Sequence, residues 1–173
     1  MTSTDFKTGD IILLEPSWWN IITKGISLVD KTPYSHAELF VKSWDAPTTI
    51  GSDLSGTDPK NILQSIGNRT ICVLRPNIPI DIPKFSKIAS SRIGIPYNFT
   101  GTFIDQLIYQ MTGKWRGGIR TDDYNRLLYC TEFVAWVFNT YQPGTYPRPY
   151  EADPLDILNN PINNVIYKGL LLK

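Results

Sequence analysis

The chain is poor in the side chains that do chemistry near neutral pH. It has one histidine, His36, and two cysteines, Cys72 and Cys130, in 173 residues. Two cysteines cannot build a disulfide scaffold, and they suit a reducing compartment. One histidine and two distant cysteines supply no ligand cluster, so neither a metal nor a cofactor is expected. Charge of one sign is also lacking. Seventeen basic residues against sixteen acidic ones leave a formal charge of +1, which gives no electrostatic footprint for nucleic acid or an acidic membrane. No run approaches the roughly 20 apolar residues of a membrane span. The segment MTSTDFKTGDIILL has no basic stretch ahead of a long apolar one, so no signal peptide is read. With 42% hydrophobic residues, the expectation is one soluble, cytoplasmic domain over residues 1–173.

What is present reads as strands first and helices mostly later. Gly9-Asp10 turns into IILL, a short apolar strand ended by Pro16. Residues 17–30 suit a short helix interrupted near Gly25. SHAELFV, TTIGSD and NRTICVLRP read as strands, the second weak and followed by a Gly/Asp/Pro-rich turn. Helices are predicted over KFSKIASSRI, FIDQLIYQM and Thr131 to about Tyr141, with a polar loop over residues 112–126. PLDILNN is a further short helix and NNVIYKGLLL a closing strand. This order points to an α+β fold with a largely antiparallel sheet.

Phe133, Val134, Ala135, Trp136, Val137 and Phe138 wrap nearly the whole circumference of the predicted helix, and a helix apolar all round is buried. Cys130 heads it. Unpaired N–H groups and the helix dipole at that end favour a thiolate, and the same N–H groups can donate to an oxyanion on an attacked carbonyl. A lone cysteine beside an apolar helix is also an ordinary small hydrophobe. Cys72, inside TICVLR, is that case and receives no role.

Strand alternation puts Ala37, Leu39 and Val41 on one face and His36, Glu38 and Phe40 on the other. The first face reads as core, so His36 points away from it. A catalytic imidazole needs an acceptor on its second nitrogen. Glu38 shares its face but lies two residues on, roughly 6.6 Å along the strand. Ser52 and Asp53 lie on the next predicted strand. Asp53, a charged acceptor, is preferred.

The order of modules resembles a known family. Gly9-Asp10, then Tyr34-Ser35-His36, then Gly94-Ile95-Pro96-Tyr97, then Tyr129-Cys130-Thr131-Glu132 is similar to the circularly permuted branch of the NlpC-type papain-like superfamily, YiiX/YaeF-like. In unpermuted relatives the Gly-x-Pro-Tyr segment and the cysteine helix come first. The resemblance spans about residues 9–140. It implies a permuted papain-like fold, a small antiparallel sheet packed on a central helix headed by the nucleophile, and a Cys–His–polar triad of Cys130, His36 and Asp53. It also implies that Tyr97 lines the substrate cleft, with Tyr97 and Tyr34 the substrate or oxyanion contacts. The family's third triad position falls on Gly51, a departure, and Asp53 lies two residues further on the same strand face.

The expected function is a cysteine-nucleophile hydrolase, an amidase or peptidase, or an acyltransferase working through an acyl-thioester. Its partner would be a small-molecule, peptide or lipid substrate with an amide or ester bond, and no nucleic acid. A papain-like module that binds a lipid or peptide without turnover is the alternative, and a cell-wall lytic enzyme a third reading.

Overall fold

The computed structural model describes residues 1–16, 24, 27, 32–43, 46–98 and 128–171. Among them, six strands form one antiparallel sheet: β1 (Ile11–Leu14), β2 (His36–Ser43), β3 (Ala46–Asp53), β4 (Gly56–Asn61), β5 (Thr70–Pro76) and β6 (Asn163–Leu170). Their spatial order is β4-β3-β2-β1-β5-β6. The helices are α1 (Ile62–Ile66), α2 (Ile82–Ser90), α3 (Cys130–Tyr141) and α4 (Pro154–Asn159), with a 3-10 turn at Pro149–Glu151. The mixed architecture and the antiparallel sheet are those read from the sequence. The helices expected over residues 17–30 and 103–111, and the loop over 112–126, lie outside the described residues apart from Lys24 and Ser27.

Position in the sheet explains the composition of β1. It is flanked by β2 and β5, and all four of its residues are buried. A strand covered on both faces reads as a continuous apolar run, as IILL does. Its residues alternate between two cores. Ile11 and Leu13 join Ala37, Leu39, Val41, Ile50, Cys72 and Leu74 beneath α2 and α3. Ile12 and Leu14 join Phe6, Phe40, Ile71 and Val73 beneath α1, through Ile62 and Ile66.

Asp10, just before β1, anchors it to β5. Its buried carboxylate accepts two bonds from the Arg75 guanidinium, at 2.8 and 2.7 Å, and one from the Lys7 N–H at 2.8 Å. That fork-to-fork pairing is the strongest form of side-chain hydrogen bond.

The segment after Asp53 departs from expectation. Where a Gly/Asp/Pro-rich turn was read, β4 pairs with β3 along its length and α1 follows directly. Pro59 conceals the strand in the sequence. A proline cannot donate to a ladder, yet it is tolerated on an edge strand, and β4 is at the edge of this sheet.

Helix α3 carries the second layer. Eight of its residues are buried, among them Phe133, Val134, Ala135, Val137 and Phe138, so it is covered nearly all round as its composition requires. Truncating an aromatic such as Phe138 to alanine in that setting costs about 3–5 kcal/mol. Phe85 of α2 packs on Phe138 with ring centroids 5.1 Å apart. The helix ends at Gln142, just ahead of Pro143 and Gly144, and Gly144 has a left-handed φ of 88°.

Candidate active site

Cys130 is the first residue of α3, and Tyr129 before it is extended (φ −104°, ψ 171°). Glu132, in the first turn, accepts from the Tyr129 N–H at 3.3 Å, and its charge complements the helix N-terminus. The Tyr129 hydroxyl donates to the Tyr150 carbonyl at 2.7 Å, and the Thr131 hydroxyl to the Ala152 carbonyl at 2.6 Å. The start of the helix is thereby pinned to the 3-10 turn on one side. On the other, the Ser52 hydroxyl donates to the Leu128 carbonyl at 2.7 Å.

The Gly94–Tyr97 segment lies against the same approach. The Thr57 N–H donates to the Ile95 carbonyl at 2.8 Å, and the Gly94 N–H to the Thr57 carbonyl at 2.9 Å. Tyr97 makes an isolated parallel bridge with Leu128, whose N–H donates to the Pro96 carbonyl at 3.1 Å. Two motifs far apart in sequence therefore meet beside Cys130, and Tyr97 is half-buried there.

His36 opens β2 opposite Leu14, the last residue of β1. At this rim of the sheet its side chain is not confined to one face. The imidazole lies within electrostatic reach of the Cys130 side chain, although α3 packs on the opposite face from Glu38 and Phe40. Its Nε2 lies 3.4 Å from Oε1 of Glu38, and its side chain is 14% exposed. Burial by itself disfavours the imidazolium, but the charge and hydrogen bond of Cys130, then those of Glu38, more than offset it. The result is a pKa raised to about 9.

Glu38 is 1% exposed, yet its carboxyl is held well below the ordinary range, near 2. Burial pushes it up, and the hydrogen bond and charge of His36, with hydroxyls from Ser65 and Thr49, pull it down further. Thr49 Oγ1 donates to Oε2 at 2.6 Å, and the Ser65 hydroxyl donates to Oε1. Both oxygens are thus occupied. A buried carboxylate is tolerable only when paired and hydrogen-bonded in this way.

Of the three acceptors the sequence leaves open, the structure brings Glu38 to the imidazole. Asp53 is committed elsewhere, and its place in the expected triad is corrected. It sits at the β3–β4 turn, bonded to the Lys60 ammonium and to the N–H and hydroxyl of Ser55 (2.8 and 2.6 Å). Ser52 faces Leu128. Tyr34 is corrected too: it is 1% exposed, in the core cluster that also holds Cys72. It is a packing residue.

The residues the sequence reading passed over are Thr49 and Ser65. Thr49 shares a face of β3 with Gly51, so the alternation carried a signal for it. Ser65 lies on α1, a segment the sequence reading assigned to no element, and carried none.

No protein-family model and no curated protein matches this chain. Among solved structures it is similar to the crystal structure of metalloprotein YiiX from Escherichia coli O157:H7. The TM-score is 0.58 at 18% identity, over 94% of this chain and 97% of that one. The fold is therefore YiiX-like; at such identity the likeness speaks to fold alone. That protein is described as a metalloprotein. Among the described residues of this chain, no group of three or more His, Cys, Asp or Glu side chains is arranged to hold a metal ion. None of the described helices is long and apolar enough to cross a membrane.

Proposed function

We propose that this chain is a thiol enzyme of permuted papain-like fold, an amidase, peptidase or acyltransferase, with Cys130 as nucleophile, His36 as base and Glu38 as the group that orients it. One observation carries the reading. The sole imidazole couples electrostatically on one side to the cysteine heading the buried helix, and on the other its Nε2 lies 3.4 Å from a buried, fully hydrogen-bonded carboxylate. That is the nucleophile–base–orienter chain of acyl-transfer enzymes, recognised by geometry rather than by sequence position.

The steps follow from the groups. With the proton on His36, the Cys130 sulfur attacks an amide or ester carbonyl and forms the S–C bond. The carbonyl electron pair moves to oxygen, where the Cys130 N–H, at the first position of the helix and so without an intrahelical acceptor, donates to it. The Tyr97 hydroxyl is the second donor in this reading. As the intermediate collapses, the C–N or C–O bond breaks and His36 gives its proton to the leaving group. Neutral His36 then takes a proton from water, an amine or an alcohol, which attacks the thioester and releases Cys130. Water makes the chain a hydrolase; an amine or alcohol makes it an acyltransferase.

A thiol label at pH 7 tests this. Both cysteines are buried, but only Cys130 heads a helix beside the imidazole; it is expected to react stoichiometrically while Cys72 does not, and His36→Ala should slow the reaction on the order of 10²-fold. Equal, slow labelling of both proteins would refute the reading. A lipid or peptide retained on purification, unaffected by Cys130→Ser and never turned over, would favour the binding module instead.

A further inference from the structure

Gly51 stands directly across from Glu38 in the β2–β3 ladder, which runs from Glu38–Gly51 to Ser43–Ala46 without a register shift. Nothing in its backbone calls for glycine. Among the described residues six glycines have left-handed φ angles, and Gly51 is not one of them. Inside a strand glycine is unfavourable, because it loses backbone entropy and packs nothing. The reason for its presence has to lie in the space above its Cα.

That space belongs to Glu38 and His36. A Cβ at position 51 would stand 2.9 Å from the Glu38 Cγ, 3.5 Å from its Cδ and 3.5 Å from the His36 Nε2. The first distance is well inside van der Waals contact, so Glu38 would have to move. Its carboxylate is not free to do so. Thr49 holds Oε2, Ser65 holds Oε1, and the whole side chain is buried. The Glu38–His36 contact is already 3.4 Å long, so a shift of a few tenths of an ångström away from the added methyl group would open it.

We propose that Gly51 is a positioning residue, a glycine that leaves room for the Glu38 side chain to cross β3 and reach the imidazole of His36. Its consequence for turnover rests on the role proposed above for His36. The geometric claim stands apart from that role and is tested apart from it.

The single histidine makes the test direct, since its imidazole resonance needs no assignment. Wild type, Gly51→Ala, Glu38→Gln and the double variant are titrated by NMR. The wild-type imidazole should titrate well above 6.5. Gly51→Ala should lower it on the order of one unit, Glu38→Gln should do the same, and the double variant should match Glu38→Gln alone. A Gly51→Ala protein that titrates as wild type, or a double variant showing the sum of both shifts, would overturn the proposal.

A melting cycle covers the case of a Gly51→Ala variant too unstable to titrate. Glu38→Ala removes the Cγ and gives a methyl group at position 51 its room, so adding Gly51→Ala to it should cost no melting temperature. A loss as large as in the wild-type background would overturn the proposal. Slow, His36-independent labelling of Cys130 would defeat the enzymatic reading while leaving this cycle intact, so the two failures are distinguishable.

Discussion

Protonation of the His36 imidazole ties the stability of the folded chain to pH. Its folded pKa, about 9, lies above the ordinary 6.5. The stabilisation it brings is therefore complete below 6.5 and is lost as pH rises through 9. Glu38 has the opposite sign. Its folded pKa, about 2, lies below the ordinary 4.5, so its contribution is present above 4.5 and is lost as pH falls through 2. The pair is worth most between about pH 4.5 and 6.5. Melting temperature should decline from pH 6.5 to 9 in wild type and stay flatter in His36→Gln. A decline of equal steepness in both proteins would show that other groups govern that limb.

At this scale the sequence was legible where a residue type was rare or its surroundings uniform. His36 and Cys130 stood out for those reasons. The acceptor on the imidazole did not, because distance along a strand understates the reach of a long side chain. Glu38 is two residues on, but its long side chain spans that interval, and its face was already the right one. Asp53 is preferable only if Lys60 and Ser55, its actual partners, belong to a turn that leaves its carboxylate unpaired.

Strand β3 works through both of its faces. On one, Thr49 and Gly51 shape the surroundings of Glu38; on the other, Ser52 holds the carbonyl of Leu128, two residues ahead of Cys130. Ser52→Ala removes that bond, while the Asn98 N–H still donates to the same oxygen at 2.9 Å. The carbonyl is then not left bare, and the loss should be about 1 kcal/mol by denaturant titration. Cys130 labelling should suffer more than stability does. Unchanged labelling would mean that the backbone bonds of Leu128 suffice to place the helix start.

Among elements, α3 was legible from an apolar circumference that admits only burial, and β1 from an apolar run that admits only a central strand. β4 and α1 were not. Pro59 argues against a strand in any position except an edge, and a sequence does not announce its edges. Helix α1 is too short for its period to register, though the Asn61 side chain caps it by accepting from the Leu63 N–H at 2.9 Å.

The whole molecule separates near contacts from distant ones. β2, β3 and β4 are consecutive antiparallel neighbours, whereas β1 pairs with both β2 and β5, and β5 with β6. The sequence conveyed the mixed class and the antiparallel sheet through the order of its patterns. It did not convey which strand would neighbour which, because pairing depends on loop closures that leave no local trace. Closure of long loops is the slow part of forming such a sheet.

That layout has a kinetic consequence. His36 and Glu38 lie in the meander, which needs only local closures, while Cys130 must arrive with a late helix that packs across it. During refolding from denaturant, far-UV signal should recover before the rapid-labelling thiol does; recovery of both in one phase would contradict this order. A nascent or half-folded chain then carries two ordinary thiols. In the proposed mechanism reactivity is conferred by the last docking event, so an incomplete molecule would have no means of capturing an acyl group.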